Sequence, residues 1–460
     1  MKFIIVGYGA VAATLLPMLF DELGDKISSL TIIDPLSTND NSQSTVFPAT
    51  FVRTRLTPAN YKHILINLDA NTFLLNLSVD VSSLDLVVYC QERGAKYLDT
   101  CIEPWAGHYS NHNIDFKYRT NYHLRECMLA LKQKFKGGPT AVIAHGANPG
   151  LASNFFKQAL LNIRHDQSGA SDHLPTTRQE WAQLTCDLQI KTIHVAEHDT
   201  QVAKTPKAVG EFINTWSVDG FIAEGCQPSE LGWGTHELKL PTGAHFHESG
   251  CKSSIYLTRP GASVRIKTWT PAAGPCLGFL ITHNESISLS DYLTIHDGDS
   301  VSYRPTVNYA YHPCNDAILS LHELSGTSWR PQQRRRVISG NDILEGADYL
   351  GVLLMGHERN AYWYGSILEN GTAQALNPKS SATTLQVAAG VLAGLIWALE
   401  NPRHGIVEAE EMDFQFILNI AQPYLGDLVG IYTNWSPGNN DKQNHYPSTS
   451  LQWQFENFLE

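Results

Sequence analysis

Paired cysteines are missing from this sequence: its eight cysteines, at 90, 101, 127, 186, 226, 251, 276 and 314, fall singly, with no C-x-x-C. That excludes a zinc ribbon of that pattern and a dense disulfide framework, and points to reduced thiols in the cytoplasm. Basic charge is also scarce. Thirty-three Lys and Arg stand against 45 Asp and Glu, a formal net charge of -12, which argues against nucleic acid as a partner and favours cationic small molecules. Neither G-x-S-x-G nor H-E-x-x-H occurs, so hydrolase and zinc-protease readings lack a motif. No apolar run approaches the ~18 residues that a membrane span needs. Met1-Lys2 leads directly into Phe3-Ile4-Ile5-Val6 without the regions of a signal peptide, so a soluble, intracellular chain is expected.

What is present is an ordinary globular balance in a chain of 460 residues, with 43% hydrophobic and 17% charged residues. That length exceeds one hydrophobic core, so two domains are expected. Apolar stretches at 3–6, 31–34, 72–77, 95–100 and 141–144 read as strands. Helical periodicity lies between them at 10–22 and 82–93, and a polar stretch runs from Ser37 to Ser44. The alternation predicts an α/β fold with an N-terminal doubly wound parallel sheet. Beyond the loop Gly146-Ala147-Asn148-Pro149-Gly150 the pattern changes to longer strands at 186–195, 253–270 and 278–289, as in a second, α+β domain. The apolar helix Ala382–Leu399 is expected to be buried against the first domain. Domains are therefore set at 1–147, 148–378 and 379–460, the last a C-terminal helical segment returning to the first. Arg334-Arg335-Arg336 reads as an exposed loop.

The first strand runs into Gly7-Tyr8-Gly9-Ala10-Val11-Ala12, a form of the dinucleotide-binding turn. Gly7 permits the tight turn, Gly9 lets backbone approach a pyrophosphate, and the small Ala12 allows close helix-strand packing. Ala10 and Val11 open the helix whose N-terminus would face the phosphates. Asp34, closing the second strand, suits the ribose hydroxyls and would repel the extra phosphate of NADP, so NAD is favoured; its competing reading is a turn-initiating Asp before Pro35. Asn76, Leu77, Ser78 and Thr100 lie at the carboxyl ends of later strands, where open α/β sheets bind ligands. In the second domain Trp216, with Glu224 and nearby glycines, suits an ammonium ligand, though Trp216 also reads as a core residue. His245, His247, His283 and Glu285 lack further clustered ligands, and no metal is expected.

Nine strings carry a resemblance: Asn76-Leu-Ser-Val-Asp80, Glu103-Pro-Trp105, Gly146-Ala-Asn-Pro-Gly150, Ala196-Glu-His-Asp-Thr-Gln201, Asn214-Thr-Trp-Ser217, Glu230-Leu-Gly-Trp-Gly234, Thr282-His-Asn-Glu-Ser286, Tyr309-Ala-Tyr-His-Pro-Cys-Asn-Asp316 and Asn360-Ala-Tyr-Trp-Tyr-Gly365. Together they resemble bacterial homospermidine synthases, which are similar in build to saccharopine reductases: a Rossmann domain, a substrate and dimerisation domain, and a homodimer. The resemblance implies NAD used as a recycled hydride carrier, with an aminobutyl group moved from putrescine, or spermidine, to putrescine through an imine. Ammonia, or diaminopropane, is released. It implies a substrate site of Asn148, Glu197, Trp216, Glu224 and His283, with Asp80 and Glu103 lining a deeper entrance. Hydride can leave only a carbon bearing a neutral amine, so a base near neutrality is needed, and His283 is the candidate by type, with Glu224 as an alternative or partner. The alternative is an imine reductase of the carboxynorspermidine or saccharopine type, whose substrates carry carboxylates and would want an Arg clamp.

Overall fold

The computed structural model describes residues 1–36, 48–109, 111, 113–169, 173–438 and 451–460; the polar stretch expected from Ser37 lies outside them. Seven parallel strands form the first sheet, in the order Ile406–Val407, Ala141–Val142, Lys96–Asp99, Thr72–Asn76, Lys2–Val6, Ser29–Ile33, Ala49–Val52. The chain leaves Lys2–Val6 for Ser29–Ile33 on one side and returns to Thr72–Asn76 on the other, so the carboxyl ends of these strands diverge at a topological switch point. Helix Ala10–Leu23 follows the first strand, with Ala12, Leu15 and Leu19 fully buried. Helix Ser83–Arg93 starts where the Ser82 hydroxyl accepts from the Asp85 amide at 3.2 Å and stops at Gly94 in the left-handed region, as capping chemistry dictates.

The second sheet has ten strands and is mixed. At its centre Thr306–His312 runs parallel to Thr192–Asp199, which pairs antiparallel with Ala347–Met355. The C-terminal part of the chain serves both sheets. Helix Ala382–Glu400 packs on Ala10–Leu23, Ile406–Val407 completes the first sheet, and Asp427–Thr433 pairs with Ala361–Glu369 in the second. Arg125, buried, ties the parts together: its guanidinium donates to both oxygens of Glu408 at 2.6 and 2.8 Å and to Asp291 at 2.9 Å.

Four expectations need correction. Helix Ala382–Glu400 is long and apolar enough to cross a membrane, contrary to the reading that no such run exists; its small polar and glycine positions hid it, and most of it is buried inside the protein. Residues 278–289 are not one strand. The strand Gly274–Ile281 gives way to helix Asn284–Tyr292, whose turn of Ser and Asn side chains is buried against the sheet. Residues 186–195 straddle the end of helix Arg178–Asp187 and the start of strand Thr192–Asp199. The arginine tract is not a loop: Arg334–Val337 is a strand parallel to Glu211–Asn214, and its charges are met by Glu211, which accepts from Arg336 at 3.1 Å, and by Asp219, paired with Arg335.

Candidate active site

At the switch point, Gly7 has φ +91°, and a Cβ there would sit 2.8 Å from the Leu77 carbonyl oxygen, so only glycine lets the two strand ends approach. Gly9 is exposed, and the helix that begins at Ala10 carries neither a side-chain cap nor an acid in its first turn. Its N-terminal amides and positive dipole end are left for an anion. Asp34 lies alongside: its oxygens accept from the Tyr8 amide at 2.8 Å and the Leu36 amide at 2.7 Å, and each keeps a lone pair for a further donor. Asn76 is buried, donating to the Val81 carbonyl at 3.2 Å while its own oxygen accepts from Ser78 at 2.8 Å. Leu77, Ser78 and Thr100 are half-buried at the same sheet edge. Glycine turn, uncapped helix and Asp34 thus fit a dinucleotide, with Ala10 and Val11 in the first helical turn.

Across from this edge the two domains bring together a row of carboxyls. Asp80, with φ +64°, and Glu103 follow strands Thr72–Asn76 and Lys96–Asp99. Burial, then the neighbouring Glu224 carboxylate, pushes Glu103 up to about 8, and burial also raises Asp80. Glu224, on helix Val218–Cys226, lies 3.3 Å from Nε2 of His283, and Glu285 lies 3.1 Å from Nδ1. Burial alone would lower the His283 pKa, yet the two flanking carboxylates raise it to about 10. This differs from the near-neutral base expected from residue type, because an imidazole between two anions holds its proton.

The His283 ring lies 4.2 Å from that of Tyr309, whose hydroxyl donates to Oε2 of Glu197 at 2.6 Å; the Asn148 amide donates to the same oxygen at 2.6 Å. Burial brings Glu197 up to about 7 despite these two hydrogen bonds. Tyr309 stacks on Tyr311 with centroids 5.2 Å apart, and the half-buried Trp216 donates its indole N–H to the Tyr311 hydroxyl at 3.2 Å. Trp216 therefore stands in an aromatic wall with Phe221, Tyr311 and Tyr309. Among the described residues, no ion pair joins Asp80, Glu103, Glu197, Glu224 or Glu285 to a lysine or arginine. Such a row is complementary to a polycation.

His245 and His247 belong elsewhere, His247 stacking on Tyr122 at 3.7 Å; among the described residues, no three His, Cys, Asp or Glu side chains are grouped to hold a metal ion. Sequence reasoning missed Tyr309 and Tyr311 as site residues. Their spacing of two, which puts both on one strand face, was the available signal. It also placed Glu285 only as an unlikely metal ligand, not as the partner of His283.

A saccharopine dehydrogenase NADP binding domain matches residues 3–142, and a saccharopine dehydrogenase C-terminal domain matches 146–432. The homospermidine synthase of Blastochloris viridis is 47% identical to this chain over 464 residues, covering 99% of it and 96% of the relative; that of Mesorhizobium japonicum is 44% identical with the same coverage. The crystal structure of the homospermidine synthase from Legionella pneumophila in complex with NAD superimposes with a TM-score of 0.90 at 44% identity, covering 100% of this chain and 97% of that one. Apo saccharopine dehydrogenase (L-Glu forming) from Saccharomyces cerevisiae, at 10% identity and a TM-score of 0.54 over 94% of this chain and 99% of that one, shares the fold. The chain belongs to the homospermidine synthase family.

Proposed function

We propose that this chain transfers an aminobutyl group from one putrescine to another, making homospermidine and releasing ammonia, with spermidine as an alternative donor that releases diaminopropane. The observation that carries this reading is the row of carboxyls along an aromatic wall at the switch point, unpaired with lysine or arginine. A carboxylate-bearing substrate of the saccharopine type would be repelled there.

Gly7, Gly9, the first turn from Ala10 and Val11, and Asp34 would hold NAD, with Asn76, Leu77, Ser78 and Thr100 along its edge. When bound, NAD supplies a hydride acceptor and then donor for the carbon next to the reacting amine. Glu197, oriented by Asn148 and Tyr309, anchors one ammonium, and Trp216 lays its face along the chain. Asp80 and Glu103 receive cations at the entrance. His283 starts as an imidazolium shared between Glu224 and Glu285. A substrate ammonium arriving beside Glu224 adds a like charge that loosens its proton, and the imidazole so freed can take a proton from the amine that must become neutral. The raised pKa matches an aliphatic ammonium, near 10.4 in the lysine model, so the transfer is nearly balanced.

We further propose a homodimer, carried over from the resemblance, and a cytoplasmic location, in keeping with eight free cysteines; neither nucleic acid nor a membrane has a place in this reading. Putrescine deuterated at both terminal carbons tests the chemistry. Homospermidine retaining every deuterium is expected, because the same hydride returns; loss of one deuterium at the new C–N carbon contradicts hydride recycling.

A further inference from the structure

His283 is the N-cap residue of helix Asn284–Tyr292, yet its side chain makes no capping hydrogen bond; the imidazole is engaged by Glu224 and Glu285 instead. The usual device that fixes the entry to a helix is therefore missing where the ring is presented. The chain is fixed one residue earlier. The hydroxyl of the fully buried Thr282 donates to Oε2 of Glu230 at 2.7 Å and accepts from the side-chain amide of Asn121 at 3.0 Å.

Glu230 lies on strand Pro228–Gly232 of the second sheet and is fully buried. Its remaining bonds cross to the first sheet. Oε2 also accepts from the Asn121 backbone amide at 2.7 Å, and Oε1 from that of Tyr122 at 3.1 Å. These are the first two amides of helix Asn121–Lys134, which have no acceptor within their own helix. That helix connects strands Lys96–Asp99 and Ala141–Val142, and it buries Leu124 and Met128 in one cluster with Leu74 and Tyr97 of the first sheet. One turn further along it, Arg125 donates to Asp291 near the far end of helix Asn284–Tyr292 at 2.9 Å. The helix that begins at His283 is thus held at both ends by one helix of the sheet whose switch point fits NAD. His247, whose Nε2 lies 3.9 Å from Oε1 of Glu230, stacks on Tyr122, and that nitrogen makes no hydrogen bond.

We propose that Glu230 is a positioning residue for the reaction: through Thr282 it sets the His283 ring, and through the two helix amides it locks that ring in register with the switch point where the hydride acceptor lies. Glu230 acts through Thr282 and not on the reacting atoms. A carboxyl suits the place because three donors converge on its two oxygens; an amide would accept on one side and turn its own N–H toward a donor on the other. Register matters because the proton leaves the amine nitrogen and the hydride leaves the adjacent carbon, so base and nicotinamide have to reach neighbouring atoms of one substrate. A misplacement of about 1 Å costs up to about a hundredfold in rate. The inference rests on His283 as the base in the reading above.

Thr282→Val tests it, because it keeps the shape of the side chain and removes the hydroxyl. In the NAD-loaded protein kcat should fall about tenfold or more, with KM for putrescine within about threefold of the wild type. The His283 pKa, read from the histidine ring resonance that is absent in His283→Gln, should fall by at least about half a unit as the ring drifts from Glu224. Thr282→Ser restores the hydroxyl and should recover most of both losses. Wild-type kcat and an unchanged His283 titration in folded Thr282→Val overturn the proposal, even if the melting temperature drops, and so does a Thr282→Ser protein no better than Thr282→Val. Should Thr282→Val not fold, Glu230→Gln decides by the same two readings, with the same losses expected and the same wild-type values overturning. A wild type that forms no homospermidine contradicts the diamine reading, while the His283 titration still decides the place of Glu230.

Discussion

Glu224 and His283 meet at 3.3 Å although 59 residues separate them, one supplied by the helix after Trp216 and the other by the N-cap of helix Asn284–Tyr292. Their contact, closed on the far side by Glu285, turns a histidine that would ordinarily titrate near neutrality into one that stays charged. Replacing Glu224 by Gln, or Glu285 by Gln, should bring the His283 pKa down from about 10 by at least about one unit, as expected for loss of an adjacent opposite charge. An NMR titration of the histidine resonances reads this directly; an unchanged pKa in both variants contradicts the triad. Glu224→Gln should also lower kcat/KM for putrescine by more than about tenfold, since it removes a charge from a largely desolvated position.

Trp216 divides its ring between Phe221, 5.4 Å away, and the open side of the site. Trp216→Leu should cost about 1–2 kcal/mol of diamine handling, seen chiefly as a rise in KM, while Trp216→Phe recovers part of it. Equal losses in both variants, together with a lowered melting temperature, indicate a packing role instead.

Stability should depend on pH in a direction fixed by the buried acids. Glu103 at about 8, Glu197 at about 7 and Glu230 at about 7 are raised above their unfolded values, so folding binds protons. Their neutral forms fit the fold, and stability falls as pH rises from near 5 through 8. His283, raised to about 10, contributes stability that is present below about 6.5 and lost as pH climbs through 10. Both effects have the same sign. Above about pH 7.5, where buried histidines held below their usual value, such as His145 and His236, are neutral in both states, the melting temperature of the free protein should drop by several degrees up to pH 9, and putrescine should restore more of it at pH 9 than at pH 7.5. A melting temperature that climbs over this range contradicts the assignment.

Asp34 bears on cofactor choice. Although the N-terminal domain matches a family described as NADP binding, a carboxylate anchored by the Tyr8 and Leu36 amides repels a 2′-phosphate. NADP should bind at least about tenfold more weakly than NAD, and Asp34→Ser should narrow the gap.

How much of this was legible beforehand depended on whether the signal was local. The glycine turn, the Ser82 cap and the buried helix from Ala382 are written in neighbouring residues. The helix Asn284–Tyr292 was misread because it lacks a side-chain cap at His283 and follows an apolar strand without a glycine or proline between. Arg334–Arg336 looked like solvated charge because its partners, Glu211 and Asp219, lie more than a hundred residues away. Tyr309 drew no attention for the same reason: only the pairing of Thr306–His312 with Thr192–Asp199 brings it to Glu197. Strings such as Asn214-Thr-Trp-Ser217 placed the other site residues by resemblance, where periodicity alone could say only that Trp216 was aromatic.

The most direct test of the account is turnover with putrescine and NAD present at a small fraction of the putrescine concentration. The account predicts many equivalents of homospermidine and ammonia per NAD, with no build-up of NADH. Product formation limited to one equivalent per NAD, or a requirement for NADPH consumed in step with product, would contradict it.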